Sequence, residues 1–405
     1  MCFVQEIIKF NKLLDNILED KAMEKEKLLM TPGPTMIPPR VLEVMRRQII
    51  HHRTKEFEAI FDGLEEDLKF VFQTKNPVLV LASSGTGAME SAIVNLFSPG
   101  DTVLAISIGN FGDRFADIAT TFGLNVKKLA VNWGEAVKVN DVKQILDEDV
   151  NNQIKAILVT HNETSTGVTN DIEALGKLTK GTTRLLVVDA ISSLGGLELQ
   201  MDDWGLDVVV TGSQKALMAP PGLAFVGLSD KAWEAVENSK LPKFYWDYKK
   251  YKKGLMKAGE NPPYTPAITI MMAQAEALKM IKEEGLENVY ARHKKLALAT
   301  QAGVKALGLE LLPSQEVSSY IITAVKAPEC IEIAKVIKTL NLKYDIMITG
   351  GQKDLKGKIF RIGHCGYTDS LDLIKTFAAL EYALSDAGYK VEMGVSVGAV
   401  QKALQ

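Results

Sequence analysis

The stretch Val208-Val209-Val210-Thr211-Gly212-Ser213-Gln214-Lys215-Ala216-Leu217 decides the fold. Its apolar and β-branched start predicts a buried strand, and a turn of small and polar residues with one lysine follows. Ala219-Pro220-Pro221-Gly222 comes next, so the backbone there is rigid and can approach a ligand closely. A lysine on such a loop can form a Schiff base with an aldehyde if desolvation lowers its pKa. The alternative is a solvated surface lysine, the usual setting of this residue type.

Similar apolar runs recur along the chain and alternate with helix-like segments. The runs lie at 78–81, 102–106, 156–159, 185–188 and 223–226, and the helix-like segments between the earlier ones lie at 89–96, 114–122, 142–146 and 172–178. This alternation predicts an α/β fold whose mostly parallel sheet is covered by helices on both faces. In such sheets, ligands bind in loops at the carboxyl ends of the strands.

The length of the chain predicts more than one domain. A single core usually holds no more than about 250–300 residues, and the chain has 405. We predict an amphipathic extension at 1–30, a large domain at 31–285, a smaller α+β domain at 286–390 and a tail at 391–405. Apolar residues between 3 and 18 recur at helical spacing, while the charged residues among them argue against a signal peptide.

Composition excludes several classes of protein. With 47 basic and 50 acidic residues, the chain offers no basic surface for nucleic acid. No apolar run approaches the ~18 residues that a membrane span needs, so we expect no membrane association. Three cysteines, Cys2, Cys330 and Cys365, are too few and too scattered for a disulfide framework or a zinc site. We therefore expect no metal and a reducing, cytoplasmic location.

A glycine-containing motif, Ala82-Ser83-Ser84-Gly85-Thr86-Gly87, follows the run 78–81 and opens a helix. Unpaired N–H groups at a helix start can bind phosphate, and glycine lets the backbone approach the ligand. The motif is neither a Walker A loop nor G-x-G-x-x-G. An ordinary helix N-cap explains the same residues, and both interpretations stay open at this point.

Two charged residues occupy informative positions in predicted strands. Asp189 ends the run 185–188, where a carboxylate could pair with a buried cation such as a protonated ring nitrogen. The alternative is an aspartate that caps the next turn. Arg361 alternates with apolar neighbours at 359–362, and its guanidinium suits a two-point grip on a carboxylate. An edge-strand arginine on the surface is the alternative.

Taken together, these motifs resemble the fold-type I enzymes that use pyridoxal 5′-phosphate (PLP), and more narrowly the class V aminotransferases of the alanine–glyoxylate and serine–pyruvate group. The resemblance runs from about residue 31 to residue 382. Its motifs are Thr31-Pro32-Gly33-Pro34, Val71-Phe72-Gln73-Thr74, Ser98-Pro99-Gly100-Asp101, Thr160-His161-Asn162-Glu163-Thr164-Ser165-Thr166-Gly167-Val168, Ser192-Ser193-Leu194-Gly195-Gly196, Gly212-Ser213-Gln214-Lys215-Ala216, Ala219-Pro220-Pro221-Gly222 and Arg361-Ile362-Gly363.

The resemblance implies a role for each matching residue. Lys215 matches the Schiff-base lysine, and Asp189 matches the carboxylate that faces the pyridine nitrogen of PLP. The remaining matches are the phosphate cup of Ser84, Gly85 and Thr86, the further phosphate contact Gln214, the hydroxyl of Thr164 near the phenolic oxygen, Arg361 on the substrate α-carboxylate and Gly33 on the substrate side.

Two positions depart from the family pattern. Alanine–glyoxylate members often carry a tryptophan that stacks on the cofactor ring, where Gly109-Asn110-Phe111-Gly112 offers Phe111. Phenylalanine can still stack, with a smaller contact. Tyr264-Thr265-Pro266 matches the place where the family reaches the phosphate from the neighbouring subunit, and Thr265 is the firmer match. The resemblance therefore implies a homodimer with shared active sites.

The implied reaction is ping-pong amino transfer from a small amino acid, alanine or serine, to a small 2-oxo acid, glyoxylate or pyruvate. Three other reactions stay open: transamination of aspartate, transamination of aminoethylphosphonate, and cysteine desulfuration. A non-catalytic subunit that retains the fold also stays open, because relatives have been described as subunits of a soluble hydrogenase. His51, His52 and Arg53 resemble a His-Arg pair of bacterial members and either line the site entrance or form a polar helix end.

Overall fold

The computed structural model describes residues 26–255 and 262–405, so the predicted helix at residues 3–18 lies outside the described residues. The strands are β1 (Leu28–Leu29), β2 (Val78–Ser83), β3 (Thr102–Ser107), β4 (Asn125–Ala130), β5 (Ile154–Thr160), β6 (Asn162–Glu163), β7 (Val168–Thr169), β8 (Leu185–Asp189), β9 (Val208–Gly212), β10 (Gly222–Leu228), β11 (Ile322–Lys326), β12 (Ile346–Met347), β13 (Thr349–Gly350) and β14 (Ile359–Gly363).

The α-helices complete the inventory of regular structure, together with two short 3₁₀ turns at Gln315–Val317 and Lys353–Leu355. The helices are α1 (Pro39–Met45), α2 (Lys55–Phe72), α3 (Gly85–Leu96), α4 (Asn110–Thr121), α5 (Val139–Glu148), α6 (Ile172–Thr179), α7 (Asp230–Asn238), α8 (Tyr248–Leu255), α9 (Ile268–Glu284), α10 (Leu286–Ala306), α11 (Ile333–Lys343), α12 (Ser370–Asp386) and α13 (Val395–Ala403). Within the two described ranges, none of these helices has both the length and the apolar character needed to cross a membrane.

A seven-stranded sheet forms the centre of the molecule, in the order β2-β10-β9-β8-β5-β3-β4. β10 runs antiparallel to both of its neighbours, and every other neighbouring pair is parallel. The prediction of an α/β fold with a mostly parallel sheet is therefore confirmed. Because β2, β3, β5, β8 and β9 all run in one direction, the loops that follow them meet at one edge of the sheet.

The central strands are apolar along their whole length because helices cover both faces of the sheet. Leu186 and Val188 of β8 pack into one cluster with residues of α2 and α9, such as Leu64 and Leu278. Val187, between them, packs on the opposite face with residues of α3 and α4. All five residues of β8 are buried, so the carboxylate at its end lies at the edge of a dry core.

Strand β4, at one edge of the sheet, is a strand that the sequence pattern did not predict. None of its six residues is fully buried, and Lys127 and Lys128 are exposed. An edge strand with lysines is a common protection against pairing with a second chain. The apolar pattern that identifies buried strands is therefore absent from it.

A separate hydrophobic core lies in the C-terminal part of the chain, where β11, β14 and β13 form a three-stranded antiparallel sheet. Helix α13, within residues 391–405, packs on α10 and α12, and Val400 is fully buried there. Glu381 of α12 fixes the start of α13, because its carboxylate accepts the backbone N–H groups of Gly394 and Ser396 at 2.6 and 2.8 Å. The division into domains at 31, 285 and 390 stays a prediction.

Residues 28–35, which we name the N-terminal tie, connect the C-terminal part of the chain to the central sheet. β1 pairs with β12 in parallel, and the N–H of Gly363 in β14 donates to the carbonyl oxygen of Met30 at 2.9 Å. Further along the tie, the N–H of Thr35 donates to the carbonyl oxygen of Gln214 at 3.2 Å. The tie thus contacts both β14 and the loop after β9.

Candidate active site

The loops at the carboxyl edge of the sheet surround a cavity of about 100 Å³. Eight predicted site residues line it: Ser84, Gly85, Thr86, Phe111, Thr164, Asp189, Gln214 and Lys215. Four further residues line it that the sequence did not single out as ligand-binding: Arg114, Asn162, Ile191 and Ser192. Ser84, Asp189 and Lys215 are separated by 105 and 26 residues in the chain, and they meet here because β2, β8 and β9 end at the same edge of the sheet.

Lys215 follows β9 on the turn that the sequence pattern predicted. Its Nζ donates a hydrogen bond to the carbonyl oxygen of Pro32 at 3.0 Å. Burial lowers the pKa of the Lys215 amine, because desolvation disfavours the ammonium form. The side chain is thus a desolvated amine with a raised neutral fraction, which is what a nucleophilic lysine requires.

Asp189 lies at the end of β8 and is 2% exposed. Its carboxylate accepts the N–H of Ile191 at 2.9 Å and, more weakly, the hydroxyl of Thr160 at 3.4 Å. Burial raises the pKa of the Asp189 carboxyl to about 7. Within the described ranges, no lysine or arginine lies at ion-pair distance from it. A cation placed in the cavity would supply the missing compensation.

The start of α3 provides a place for an anion. Ser84 is the N-cap, but its side chain makes no capping hydrogen bond, so the first N–H groups of the helix keep their donor capacity. The side-chain oxygen of Gln214 is buried without a hydrogen-bond partner among the described residues. The open N–H groups at the helix start are donors that a phosphate group fits, and the NH2 group of the Gln214 amide can add a further donor.

Arg361 lies on β14, and its side chain is fixed by two backbone carbonyl groups. Nε and Nη2 donate to the carbonyl oxygen of Gly350 at 3.0 and 2.7 Å, and Nη1 donates to that of Thr164 at 2.8 Å. One N–H on Nη1 and one on Nη2 remain for a ligand. Burial lowers the pKa of the guanidinium to about 10, so it stays charged at neutral pH. The free pair of N–H groups matches the two oxygens of a carboxylate.

Glu163 is a site residue whose role the sequence analysis missed. Its buried carboxylate accepts the N–H groups of Phe111 and Gly112 at 2.9 and 3.0 Å, and also the N–H of Ser165 at 3.1 Å. Desolvation raises the pKa of the carboxyl, although these hydrogen bonds oppose the shift. Glu163 thereby fixes the first turn of α4 and places Phe111 at the cavity.

Six predicted residues are not among those that line this cavity. Two of them contact lining residues: Gly33 lies against the Lys215 side chain, and Arg361 donates to the Thr164 carbonyl oxygen. The other four, Thr265, His51, His52 and Arg53, lie elsewhere in the single chain. Thr265 is exposed and lines a different, much smaller pocket together with Tyr264. His51 is exposed and His52 is half-buried, with ring centroids 4.7 Å apart, and Arg53 donates to the carbonyl oxygen of Pro262 at 3.1 Å. Their predicted roles at a shared site and at its entrance stay predictions.

Comparison with known proteins gives a consistent result. The family model for aminotransferase class V matches residues 28–363. The soluble hydrogenase small subunit of Synechococcus sp. (strain PCC 6716) is 43% identical, over 96% of this chain and 99% of that protein. The serine–glyoxylate aminotransferase of Methylorubrum extorquens is 40% identical, over 93% and 96%.

A solved structure, that of an alanine–glyoxylate aminotransferase from Nostoc sp., superposes with a TM-score of 0.85 at 30% identity, over 90% of this chain and 97% of that chain. The fold predicted from the resemblance is therefore confirmed, and so is the family. By the family model, by relatives that match nearly its whole length and by its fold, this chain belongs to the class V aminotransferases.

Proposed function

We propose that this class V aminotransferase uses PLP to move an amino group from alanine or serine to glyoxylate or pyruvate. The observation that carries the proposal is a desolvated amine, Lys215, and a buried carboxylate without a counter-ion, Asp189, on the walls of one cavity. The choice of donor and acceptor follows the serine–glyoxylate and alanine–glyoxylate aminotransferases to which the chain is similar.

The residues of the cavity fit PLP at both of its ends. When bound, PLP supplies an aldehyde that links to amines and a ring that withdraws electrons from the carbon next to the linked nitrogen. Lys215 would hold it covalently through Nζ, and Asp189 would face the ring nitrogen and keep it protonated. The open N–H groups at the start of α3 would receive the phosphate, and the amide NH2 of Gln214, which lines the same cavity, would donate to it.

The side chains of the site then divide the work of the reaction. Lys215 Nζ takes the proton from Cα of the substrate and later returns one, and its lowered pKa favours both roles at neutral pH. Thr164 lines the cavity, and its hydroxyl would donate to the phenolic oxygen. Arg361 binds the substrate α-carboxylate with the two N–H groups that Gly350 and Thr164 leave free.

Cysteine desulfuration receives no support from the two cysteines that the structure describes. Such a reaction needs an accessible thiolate. Cys365 is 2% exposed, and burial raises the pKa of its thiol to about 12. Cys330 is exposed, but it lies on a turn outside the residues that line the cavity. A non-catalytic subunit, as the name of the Synechococcus relative suggests for that protein, has no need of a desolvated lysine and an uncompensated carboxylate in one cavity.

We also propose that the enzyme works as a homodimer in the cytoplasm. In one chain Thr265 is exposed and away from the cavity of Lys215, as a residue destined for a neighbour's site would be. The cytoplasmic location rests on the scarcity of cysteine in the sequence.

Borohydride reduction of the PLP-saturated protein, followed by peptide mapping, tests the proposal. The adduct is expected on Lys215, and Lys215→Ala is expected to fold, as judged by circular dichroism, and to lose turnover. Lys338→Ala, at an exposed helix position, is the matched control and should behave like the parent. Reduction that labels another lysine, or near-parental turnover of Lys215→Ala, would contradict the proposal.

The donor is tested by single-turnover spectra with L-alanine, L-serine and L-aspartate, followed by glyoxylate or pyruvate. Conversion should be fastest for alanine or serine. Faster conversion of L-aspartate would assign the enzyme to a different substrate class while leaving the covalent chemistry of Lys215 intact.

A further inference from the structure

Arg114 is a charged residue of the cavity to which neither the sequence motifs nor the reaction outlined above assigns a role. It lies on α4, three residues after Phe111, so both side chains project from the same side of the helix. Its Nη1 donates to the hydroxyl oxygen of Thr86 at 3.1 Å. Its guanidinium carbon lies 4.7 Å from the centre of the Phe111 ring, at stacking distance.

The guanidinium of Arg114 has no carboxylate partner among the described residues. No Asp or Glu lies within ion-pair distance, and its neighbour in sequence, Asp113, pairs with Lys128 and Lys353. The side chain is half-buried, so its charge is only partly solvated. Hydrogen bonding to Thr86 and stacking on Phe111 hold the guanidinium in place without neutralising it.

The position of Arg114 is at the phosphate end of the cavity. Thr86 belongs to the first turn of α3, whose open N–H groups form the anion site, and Arg114 reaches that turn from the neighbouring helix. A helix start contributes only about half a positive charge, whereas a bound phosphate monoester carries about −1.5 to −2 at neutral pH. Among the described lining residues, the only lysine or arginine besides Arg114 is Lys215. Its desolvated amine would be bonded to the aldehyde, so it would not be available to the phosphate.

We propose that Arg114 binds the phosphate group of PLP and supplies the cation that the start of α3 lacks. This inference rests on the proposed function, because it requires PLP in the cavity. Arg114 also stacks on the Phe111 ring, so a single side chain contacts both the start of α3 and the aromatic residue of the cavity. Arg114 is therefore a cofactor-binding residue in addition to the phosphate cup.

The test compares PLP with pyridoxal, which has the same ring and aldehyde but no phosphate. Apoprotein of the parent and of Arg114→Gln is titrated with each compound, and the dissociation constants are read from the absorbance of the Lys215 adduct. Loss of one charge-assisted contact should weaken PLP binding by about ten- to a hundredfold. Pyridoxal binding should change by about twofold or less, because the lost contact is to the phosphate alone.

Arg114→Lys and Arg114→Met form a second pair of similar length that keeps or removes the charge, in case the glutamine variant folds poorly. The lysine variant should retain most of the PLP affinity, and the methionine variant should not. Arg47→Gln, at an exposed position, is the control for charge removal as such. A ³¹P spectrum of bound PLP adds a readout besides affinity, since loss of a nearby cation should raise the pKa of the phosphate.

Three outcomes would overturn the inference. Equal losses for PLP and pyridoxal would mean that Arg114 only supports Phe111. Unchanged PLP affinity with a selective loss of L-aspartate turnover would place Arg114 on a substrate carboxylate instead. Unchanged PLP affinity and unchanged turnover would leave it without a role at the site. If the parent itself formed no adduct with PLP, the proposed function would fail, a result distinguishable from all three.

Discussion

Gly33 lies against the end of the Lys215 side chain, so closely that a Cβ atom at residue 33 would overlap with Nζ and the two carbons before it. The backbone of Gly33 has φ +141°, a region that residues with a side chain rarely adopt. The neighbouring Pro32 carbonyl accepts the hydrogen bond from Nζ. The Lys215 amine thus occupies space that would be filled by a side chain at any residue 33 other than glycine.

Gly33→Ala is therefore expected to displace the amine of Lys215. Cofactor linkage, followed as the growth of absorbance after mixing apoprotein with PLP, should slow by about tenfold or more, because about 1.4 kcal/mol of added barrier already gives that factor. Gly63→Ala is the control, since Gly63 is an exposed helix residue with nothing within 4 Å of the added carbon. An unchanged linkage rate in Gly33→Ala would show that the lysine can shift without cost.

Arg361→Lys tests the grip on the substrate carboxylate. Lysine keeps the charge but cannot hold Gly350 and Thr164 while donating two parallel hydrogen bonds. For L-alanine, the loss of kcat/KM should correspond to about 2–5 kcal/mol of lost binding free energy, and most of it should appear as a higher KM. L-alaninamide, which lacks the carboxylate, should lose far less. Equal losses for the two compounds would contradict the assignment.

Phe111 is expected to stabilise bound PLP by stacking. Phe111→Leu should weaken PLP binding by about 0.5–1.5 kcal/mol, the usual worth of an aromatic pair beyond its buried area. Phe111→Trp should retain or improve the affinity, because the larger ring extends the contact. Equilibrium titration of the apoproteins measures both. A leucine variant that binds PLP as well as the parent would show that stacking does not contribute.

Three buried histidines should make the fold sensitive to acid. Burial lowers the pKa to about 4 for His161 and to about 3 for His293 and His364, from 6.5. Since these values are depressed in the folded state, the stability is present above pH 6.5 and is lost as pH falls toward the folded pKa. For each histidine, the free energy of unfolding should therefore fall by about 2 kcal/mol as the pH is lowered from 6.5 to 5.

His293→Gln measures one of these contributions. Glutamine can replace both hydrogen bonds of the ring, in which Nδ1 donates to the Val289 carbonyl oxygen at 2.7 Å and Nε2 accepts the Gly366 N–H at 3.0 Å. The urea midpoint of the variant should shift less between pH 7 and pH 5 than that of the parent. His51→Gln, at an exposed residue, should shift like the parent. Parallel shifts in all three proteins would contradict the prediction.

The parts of the fold that the sequence predicted are those with a strong apolar signal. All six predicted strands of the central sheet lie within observed strands, because burial on both faces requires continuous apolar runs. α9 spans Ile268–Glu284, between two residues that punctuate helices, Pro266 before it and Gly285 at its end. β4 escaped prediction because an exposed edge strand has no such pattern.

The missed parts of the site depend on contacts that are distant in sequence. Glu163 serves α4 through the N–H groups of Phe111 and Gly112, more than fifty residues earlier, and no local pattern announces such a contact. The link from Arg361 to the Thr164 carbonyl spans 197 residues. The spacing of three residues between Phe111 and Arg114 on one helix could have indicated that the two side chains are neighbours. The sequence could not show that Thr86 lies within hydrogen-bond distance of Arg114, and that contact is what places Arg114 at the start of α3.

The N-terminal tie has a mechanical consequence. Its β1 end pairs with β12, and its middle is hydrogen-bonded to Gly363, two residues after the arginine that we assign to the substrate carboxylate. Its far end holds the amine of Lys215 through the Pro32 carbonyl and the backbone of Gln214 through Thr35. Any displacement of β14 that accompanied binding of a substrate carboxylate would therefore reach Lys215 directly through the backbone of these eight residues, without passing through the central sheet.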